Sequence, residues 1–168
     1  DDMDRDQNII MRNGAMIDNT VAFRVVNSVQ GAGALAKDSF AYLSTEPLFL
    51  TSQGVFAVTS QDVTGEKYVQ NRSYFLNGKM LKEDNLENAY ACVYNDMYWL
   101  CVNDVCYILD GLQAQMTDKS MPYSTRQYAG FYRTNVPANI MWVKDNRLWF
   151  GTRDGKVCRF FNEPDRLK

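Results

Sequence analysis

One motif occurs three times in this sequence at an almost constant spacing. Each copy joins an aromatic-rich hydrophobic run to a second hydrophobic run through a short polar turn. The copies occupy residues 48–58, 98–108 and 148–160. Their aromatic residues Phe49, Trp99 and Trp149 lie 50 residues apart. A period of this size is typical of proteins in which one supersecondary unit repeats and stacks on its neighbours. We therefore predict a repeat protein with these three residues at one core position of each unit.

Each copy predicts two antiparallel strands joined by a tight turn. β-branched and aromatic residues favour strands, and the pairs Asn103-Asp104 and Asp154-Gly155 tolerate the positive φ angles of two-residue hairpin turns. A further strand precedes each copy, at 40–43, 90–94 and 140–144. Fourth-strand candidates are 66–76 and 126–133, with 21–26 as their counterpart ahead of the first copy. Elsewhere we predict a strand within 8–16, a helical turn within 82–91 and a polar loop at 112–124.

A four-stranded antiparallel unit that recurs every ~50 residues is typical of a β-propeller blade. We therefore predict an all-β fold of about three to three and a half propeller-like blades, in units near 15–60, 61–111 and 112–162. A β-sandwich with long loops is the alternative. Because propellers contain four or more blades, the chain 1–168 is interpreted as a propeller-like domain or a fragment of one. It would be part of a longer ring, a unit that closes a ring with other copies, or an open arc whose edges a partner covers.

Several stretches of the sequence resemble structural proteins of tailed bacteriophages and prophages. They are 47–58, 70–73, 85–89 and 148–155, which read PLFLTSQGVFAV, QNRS, NLENA and LWFGTRDG. The resemblance extends over about residues 30–162 and is similar in pattern to the packaged-DNA stabilisation (head-completion) proteins of short-tailed phages. It implies a structural part of the neck or tail, found in the virion or the cytoplasm of a bacterial host. It transfers no catalytic residue.

Composition excludes several classes of function. The chain contains no histidine, so Ser-His and Cys-His catalysis and histidine-ligated metal sites are excluded. No nucleophile–base pair, carboxylate pair or phosphate-binding glycine loop is recognisable. We therefore expect no enzymatic activity, no metal site and no cofactor. No apolar run approaches the ~18 residues of a membrane helix. The opening residues Asp1-Asp2-Met3-Asp4 do not form a signal peptide.

Two of the four cysteines face each other in the predicted second unit. Cys101 and Cys106 flank the turn Asn103-Asp104 and occupy a non-hydrogen-bonded pair, where Cα atoms approach to about 4.5 Å. A cross-strand disulfide and two packed thiols are both compatible with this arrangement. We favour packed thiols in a reducing compartment, since the cysteine density is too low for a disulfide scaffold.

Charge divides the sequence into two parts. Residues 1–118 hold 16 acids and 8 bases, a net charge of −8, whereas residues 119–168 hold 4 acids and 10 bases, a net charge of +6. The basic part is interpreted as a solvated face or as a surface for an acidic partner, such as a neighbouring copy; nucleic acid is less favoured. Aromatic residues after the loop either contact a partner or fill the space between blades. The candidate surface comprises Tyr123, Tyr128, Phe131, Tyr132, Lys144, Arg147, Arg153, Lys156 and Arg159.

These features favour a non-enzymatic structural or assembly protein over other classes of function. It would act as a rigid scaffold that contacts itself or other virion subunits. No membrane partner is expected. A carbohydrate- or receptor-binding propeller module is the alternative.

Overall fold

The computed structural model describes residues 9–12, 15–18, 33–60, 67–115 and 127–161 of the chain. These residues are built mainly from antiparallel strands, which confirms the all-β prediction. A hairpin comes first and pairs β1 (Ile9–Arg12) with β2 (Ala15–Asp18). Three further sheets follow in chain order, and in each of them consecutive strands are neighbours.

The strands of the three sheets have the following bounds. The first sheet comprises β3 (Ala41–Leu43), β4 (Glu46–Thr51), β5 (Gly54–Ser60) and β6 (Lys67–Asn71). The second comprises β7 (Tyr90–Tyr94), β8 (Met97–Val102), β9 (Val105–Gln115) and β10 (Gln127–Arg133). The third comprises β11 (Ile140–Lys144), β12 (Arg147–Gly151) and β13 (Val157–Arg159). Helix α1 (Tyr74–Met80) and two 3₁₀ turns, Lys37–Ser39 and Leu86–Asn88, lie between them.

Most predicted strands are present, with three differences. The candidate at 66–76 ends as helix α1, because Leu76 and Met80, four residues apart, both bury their side chains in the core. The predicted loop at 112–124 is wrong at its start, since β9 continues to Gln115 and pairs with β10. The single strand predicted within 8–16 is a hairpin. The strand predicted at 21–26 lies outside the described residues.

Tight turns set the register of the sheets. The pairs Asn95-Asp96, Asn103-Asp104 and Asp145-Asn146 all have positive φ, between 48° and 61°. Two consecutive residues in this conformation form the type I′ turn, whose twist matches that of the flanking strands. Asparagine and aspartate adopt the conformation more readily than other non-glycine residues. The predicted turn chemistry is therefore confirmed at Asn103-Asp104.

The register corrects the proposed equivalence of Phe49, Trp99 and Trp149. Strand β4 begins at Glu46, β8 at Met97 and β12 at Arg147, so equivalent positions lie 51 and then 50 residues apart. Leu48, rather than Phe49, is therefore the counterpart of Trp99 and Trp149. Because neighbouring residues of a strand point to opposite faces, Phe49 lies on the other side of its sheet.

Each sheet stacks on the next in one orientation. We call forward the face that carries Leu48, Trp99 or Trp149, and rear the opposite face. The forward face of the first sheet packs on the rear face of the second around Leu48, Tyr98 and Leu100, with Leu50, Val55, Ala57 and Tyr107 in the same core. The forward face of the second sheet packs on the rear face of the third around Trp99, Met141 and Leu148, with Cys101, Cys106 and Ile108.

The three sheets lie closest together at their first strands. Strand β3 contacts β7, and β7 contacts β11. Farther out, helix α1 contacts both β5 and β10 and fills the space between the first two sheets. The first two sheets are thus in direct contact at their first strands, whereas helix α1 lies between their later strands. The two sheets therefore diverge from their first strands toward their later ones.

Gly130 is the point at which helix α1 approaches the second sheet. A Cβ atom at Gly130 would lie 2.6 Å from Cγ of Leu76, a buried side chain. We expect Gly130→Ala to lower the free energy of unfolding by about 1–3 kcal/mol, the usual cost of overpacking a core.

Gly78→Ala is the matched control. Gly78 lies in α1, and no atom lies within 4 Å of a Cβ built there. Alanine should raise the free energy of unfolding by about 0.5–1 kcal/mol, because it favours the helix more than glycine does. Urea unfolding of both variants tests the pair, and equal effects would contradict the close approach.

Candidate interaction surfaces

The forward face of the third sheet is an apolar surface bordered by positive charge. Trp142 and Trp149 lie directly opposite each other on it, and the guanidinium of Arg159 lies 5.8 Å from the centre of the Trp149 ring. Ile140 and Val157 also lie on this face, and both are exposed, Val157 by 64%. The predicted surface residues Lys144 and Arg147 form the last pair of the hairpin on the same face.

The prediction that Phe49, Trp99 and Trp149 share one core position is wrong, because Phe49 lies on the opposite face of its sheet and Trp149 lies outside both cores. Trp99 is buried between the second and third sheets, and Phe49 is buried opposite Phe56 on the rear face of the first sheet. Trp149 is half-buried and belongs to neither core. Within the described residues no sheet follows the third one, so its forward face has no partner of the kind that covers Trp99.

The rear face of the first sheet is a second apolar surface. Phe40 and Tyr42 pack edge to face with their ring centres 5.4 Å apart, and both rings are more than half exposed. Tyr42 pairs with Pro47, which lies two residues before Phe49 on the same face. An exposed aromatic cluster of this kind marks an interaction site more often than a solvated surface. The exposed part of this face is confined to Phe40 and Tyr42 at its margin, because Phe49 and Thr51 at its centre are buried.

Only some residues of the predicted aromatic surface are exposed in the structure. Phe131 and Tyr132 are about half exposed near the end of β10, and the Lys79 ammonium lies 4.4 Å from the centre of the Tyr132 ring. Tyr128 is buried, so its assignment to a surface is wrong. Tyr123 lies outside the described residues.

Tyr128 is buried because it completes a polar network between the first two sheets. Its hydroxyl donates to a carboxylate oxygen of Glu46 at 2.7 Å. Arg72 donates to both oxygens of the same carboxylate, at 2.6 and 3.1 Å, and its guanidinium lies 5.9 Å from the centre of the Tyr128 ring. The Arg72 side chain is almost fully buried. This bidentate pair fixes β4 against the end of β6 and, through Tyr128, against β10.

Removing the Glu46 carboxylate should weaken the fold strongly. Glu46→Ala leaves the Arg72 guanidinium buried without its carboxylate, which costs about 3–5 kcal/mol in comparable buried pairs. Tyr128→Phe removes the hydrogen bond from the hydroxyl to the charged Glu46 carboxylate and should cost about 1.5 kcal/mol. The control is Asp154→Ala, which breaks the exposed pair of Asp154 with Lys156 and should leave the denaturation midpoint almost unchanged. Similar denaturation midpoints for Glu46→Ala and Asp154→Ala would contradict the network's role.

The loop between β12 and β13 holds the other two predicted basic residues. The Lys156 ammonium lies 2.5 Å from the Asp154 carboxylate, which also accepts a hydrogen bond from Thr152. These hydrogen bonds, from Lys156 first and then Thr152, lower the pKa of Asp154. Arg153 points elsewhere and borders a polar cleft of about 310 Å³ between the second and third sheets. The cleft is lined mainly by carboxamides: Asn85, Asn88, Asn103 and Asn139, with Cys101, Val102 and Ala138.

Cys101 and Cys106 form a disulfide in the structure. They are paired residues of β8 and β9, with a Cα–Cα distance of 4.1 Å. The favoured interpretation of two packed thiols is therefore wrong. The cross-strand disulfide, which the sequence analysis gave as the alternative, is present. The bond is buried in the core between the second and third sheets. Cys92 and Cys158 are free thiols, and burial raises the pKa of the Cys92 thiol.

Alkylation tests the disulfide directly. Iodoacetamide in denaturant should add two labels per chain without reductant and four after reduction, since two of the four cysteines are free. In the native chain Cys92 should react slowly, because a raised pKa leaves less thiolate at neutral pH. Mass spectrometry of the intact chain gives the count, and four labels without reductant would contradict the bond.

Within the described ranges no three His, Cys, Asp or Glu side chains cluster in a way that could hold a metal ion. Among the same residues no helix is both long and apolar enough to cross a membrane. No protein-family model, curated protein or solved structure matches the chain.

Proposed function

We propose that the chain is a non-enzymatic structural protein that acts as a rigid scaffold for protein–protein contacts. The observation that carries this proposal is the forward-to-rear stacking of three sheets, which among the described residues leaves the apolar forward face of the third sheet without a covering sheet. Support for a β-propeller-type arrangement comes from the first two sheets, each of which has four strands in chain order, and from the adjoining strands β3, β7 and β11. Because stacked sheets form a rigid body, such a protein can hold neighbouring protein subunits in fixed positions.

The particle that this scaffold would serve is a tailed phage. The support for this step is the sequence resemblance of residues 47–58, 70–73, 85–89 and 148–155 to structural virion proteins. In such a particle the chain would occupy the neck or tail. Its partners would be further copies or other virion subunits, and it would pass through the cytoplasm of the bacterial host before assembly.

A binding module for carbohydrate or a receptor is the second candidate. Its support is the polar cleft, because the side chains of Asn88, Asn139 and Arg153 supply donors and acceptors suited to hydroxyl or carboxylate groups. None of the described residues that line the cleft is aromatic, so these residues offer no flat apolar surface on which a sugar ring could stack. The scaffold is therefore the better supported of the two.

Purified phage particles test the proposal. Particles from a host that carries the gene are banded by density, washed at high salt and analysed by mass spectrometry. We expect peptides of this chain in the band, in a constant ratio to the major capsid protein across independent preparations. A host cytoplasmic protein serves as the carry-over control. Presence of the chain only in the soluble fraction would overturn the assignment to the virion.

A glycan array addresses the second candidate. Binding that is lost in Arg153→Ala and kept in Lys156→Ala would assign the cleft as the site. Lys156 is the suitable control because it lies in the same loop but does not line the cleft. Absence of binding with all glycans would remove carbohydrate as the ligand.

A further inference from the structure

We propose that the forward face of the third sheet binds single-stranded nucleic acid, with bases stacked on Trp142 and Trp149. The inference goes beyond the scaffold proposed above, since it assigns a ligand to one surface of that scaffold. Net charge alone gives nucleic acid little support in the sequence. The structure adds that two tryptophans and three basic residues occupy the same face of one sheet.

The two indoles lie along the sheet instead of standing away from it. Nε1 of Trp149 donates a hydrogen bond to the backbone carbonyl of Lys144 at 3.3 Å, so the ring reaches down to the neighbouring strand. The ring of Trp142 lies over Gly151, because its Cζ3 atom is 3.7 Å from a Cβ atom built at that glycine. Both tryptophans are half-buried, as expected of rings with one face against the sheet and the other outward. Two aromatic faces are thus available for stacking.

Basic side chains surround the two rings, and strands β11, β12 and β13 contain no acidic residue. Lys144 and Arg147 pair at one end of the hairpin, and both are exposed; one acid, Asp145, lies in the turn between them. Arg159 pairs with Trp149, and its guanidinium, 5.8 Å from the ring centre, is too distant to cover the ring by stacking. A phosphate beside a base stacked on Trp149 would therefore meet cations.

Aromatic faces interleaved with cations are the combination that a single-stranded nucleic acid can use. Bases stack on aromatic side chains whatever their sequence, and each phosphate between them carries a negative charge. A duplex hides its base faces inside the helix, so it could use only the basic groups. An acidic polypeptide could neutralise the same basic groups, but it has no regular series of flat rings to place on the two indoles.

Fluorescence anisotropy with a labelled single-stranded DNA of about 12 nucleotides tests the proposal, a length within the site sizes of known single-strand binders. The whole chain should bind this DNA at low salt and bind a duplex of the same sequence much more weakly. A plot of the logarithm of affinity against the logarithm of salt concentration should have a slope of about −2, because each of three cations contributes about −0.7.

Trp142→Ala and Trp149→Ala separate stacking from charge. Each should weaken binding roughly 5- to 150-fold, which is the effect of losing one stacked base. Trp142→Phe keeps a ring on the sheet and should retain most of the affinity. The matched control is Tyr74→Ala, because Tyr74 is 66% exposed but lies on helix α1; this variant should bind as the wild-type chain does.

Lys144→Ala tests the charged part of the site. It should reduce the steepness of the salt dependence by about 0.7, the contribution of one phosphate contact. The control is Lys82→Ala, since Lys82 is also exposed but lies outside the third sheet; its salt dependence should stay that of the wild-type chain. Circular dichroism verifies that each variant is folded. If a tryptophan variant unfolds, Lys144→Glu replaces it, because Lys144 is exposed and its reversal should remove most of the binding.

Several results would overturn the proposal. They are absence of binding at low salt, equal affinity for single strand and duplex, and an unchanged affinity in both tryptophan-to-alanine variants. A polyglutamate peptide that competes as strongly as the DNA would also overturn it and would assign the face to an acidic polypeptide. Detection of the chain in purified particles does not depend on any of these results, so the scaffold proposal is tested separately.

Discussion

The structure depends on the stacking of sheets whose two faces are both apolar. The second sheet shows the requirement most clearly. In β8 the five residues from Tyr98 to Val102 are all buried, without the alternation expected of a strand that has one solvated face. Tyr98 and Leu100 are covered by the first sheet, and Trp99 is covered by the third. This sheet cannot be stable alone, so its two neighbours are a condition of its folding.

The outer part of the stack is held by polar contacts of defined geometry as well as by apolar packing. Glu46 receives two hydrogen bonds from Arg72 and one from Tyr128, and these three residues come from β4, the end of β6 and β10. Replacing a buried ion pair with apolar residues is often neutral for stability, so its value lies as much in orientation as in energy. The three hydrogen bonds tie the first sheet to β10 of the second sheet in this placement. The pair therefore complements the apolar core, which is less directional.

Local signals in the sequence predicted the strands well, because turns and strand propensity are encoded within a few residues. The pairs Asn95-Asp96 and Asp145-Asn146 determine where strands reverse, and each directly follows a strand predicted at 90–94 or 140–144. Helix α1 was missed because its aromatic residues Tyr74 and Phe75 favour strands locally, while burial of Leu76 and Met80 selects the helix. Tertiary contact thus overrode a local preference.

The surface assignments were less predictable, because they depend on contacts between distant residues. Tyr128 is buried in the core between the first two sheets, where its hydroxyl donates to Glu46, which lies 82 positions away in the chain. Trp149 matches Trp99 in sequence and in strand position, yet it differs in burial because only Trp99 has a following sheet within the described residues. The disulfide could be predicted only in part. The turn at Asn103-Asp104 fixes the proximity of Cys101 and Cys106, but the residue pattern does not set their oxidation state.

The strands at the sheet edges explain why the faces are the better candidates for association. Unpaired strand edges recruit other strands, and proteins limit this by keeping edge strands short or covered. Strand β13 has only three residues, and β6 passes directly into the buried Arg72 and helix α1. Strand β10 ends at Arg133, whose guanidinium lies 5.4 Å from the centre of the Phe161 ring. Since these edges offer short or charged strands, exposed apolar groups such as Ile140 and Val157 on the forward face of the third sheet are better placed to contact a partner than the edges are. A partner that covers these groups must offer flat apolar groups of its own.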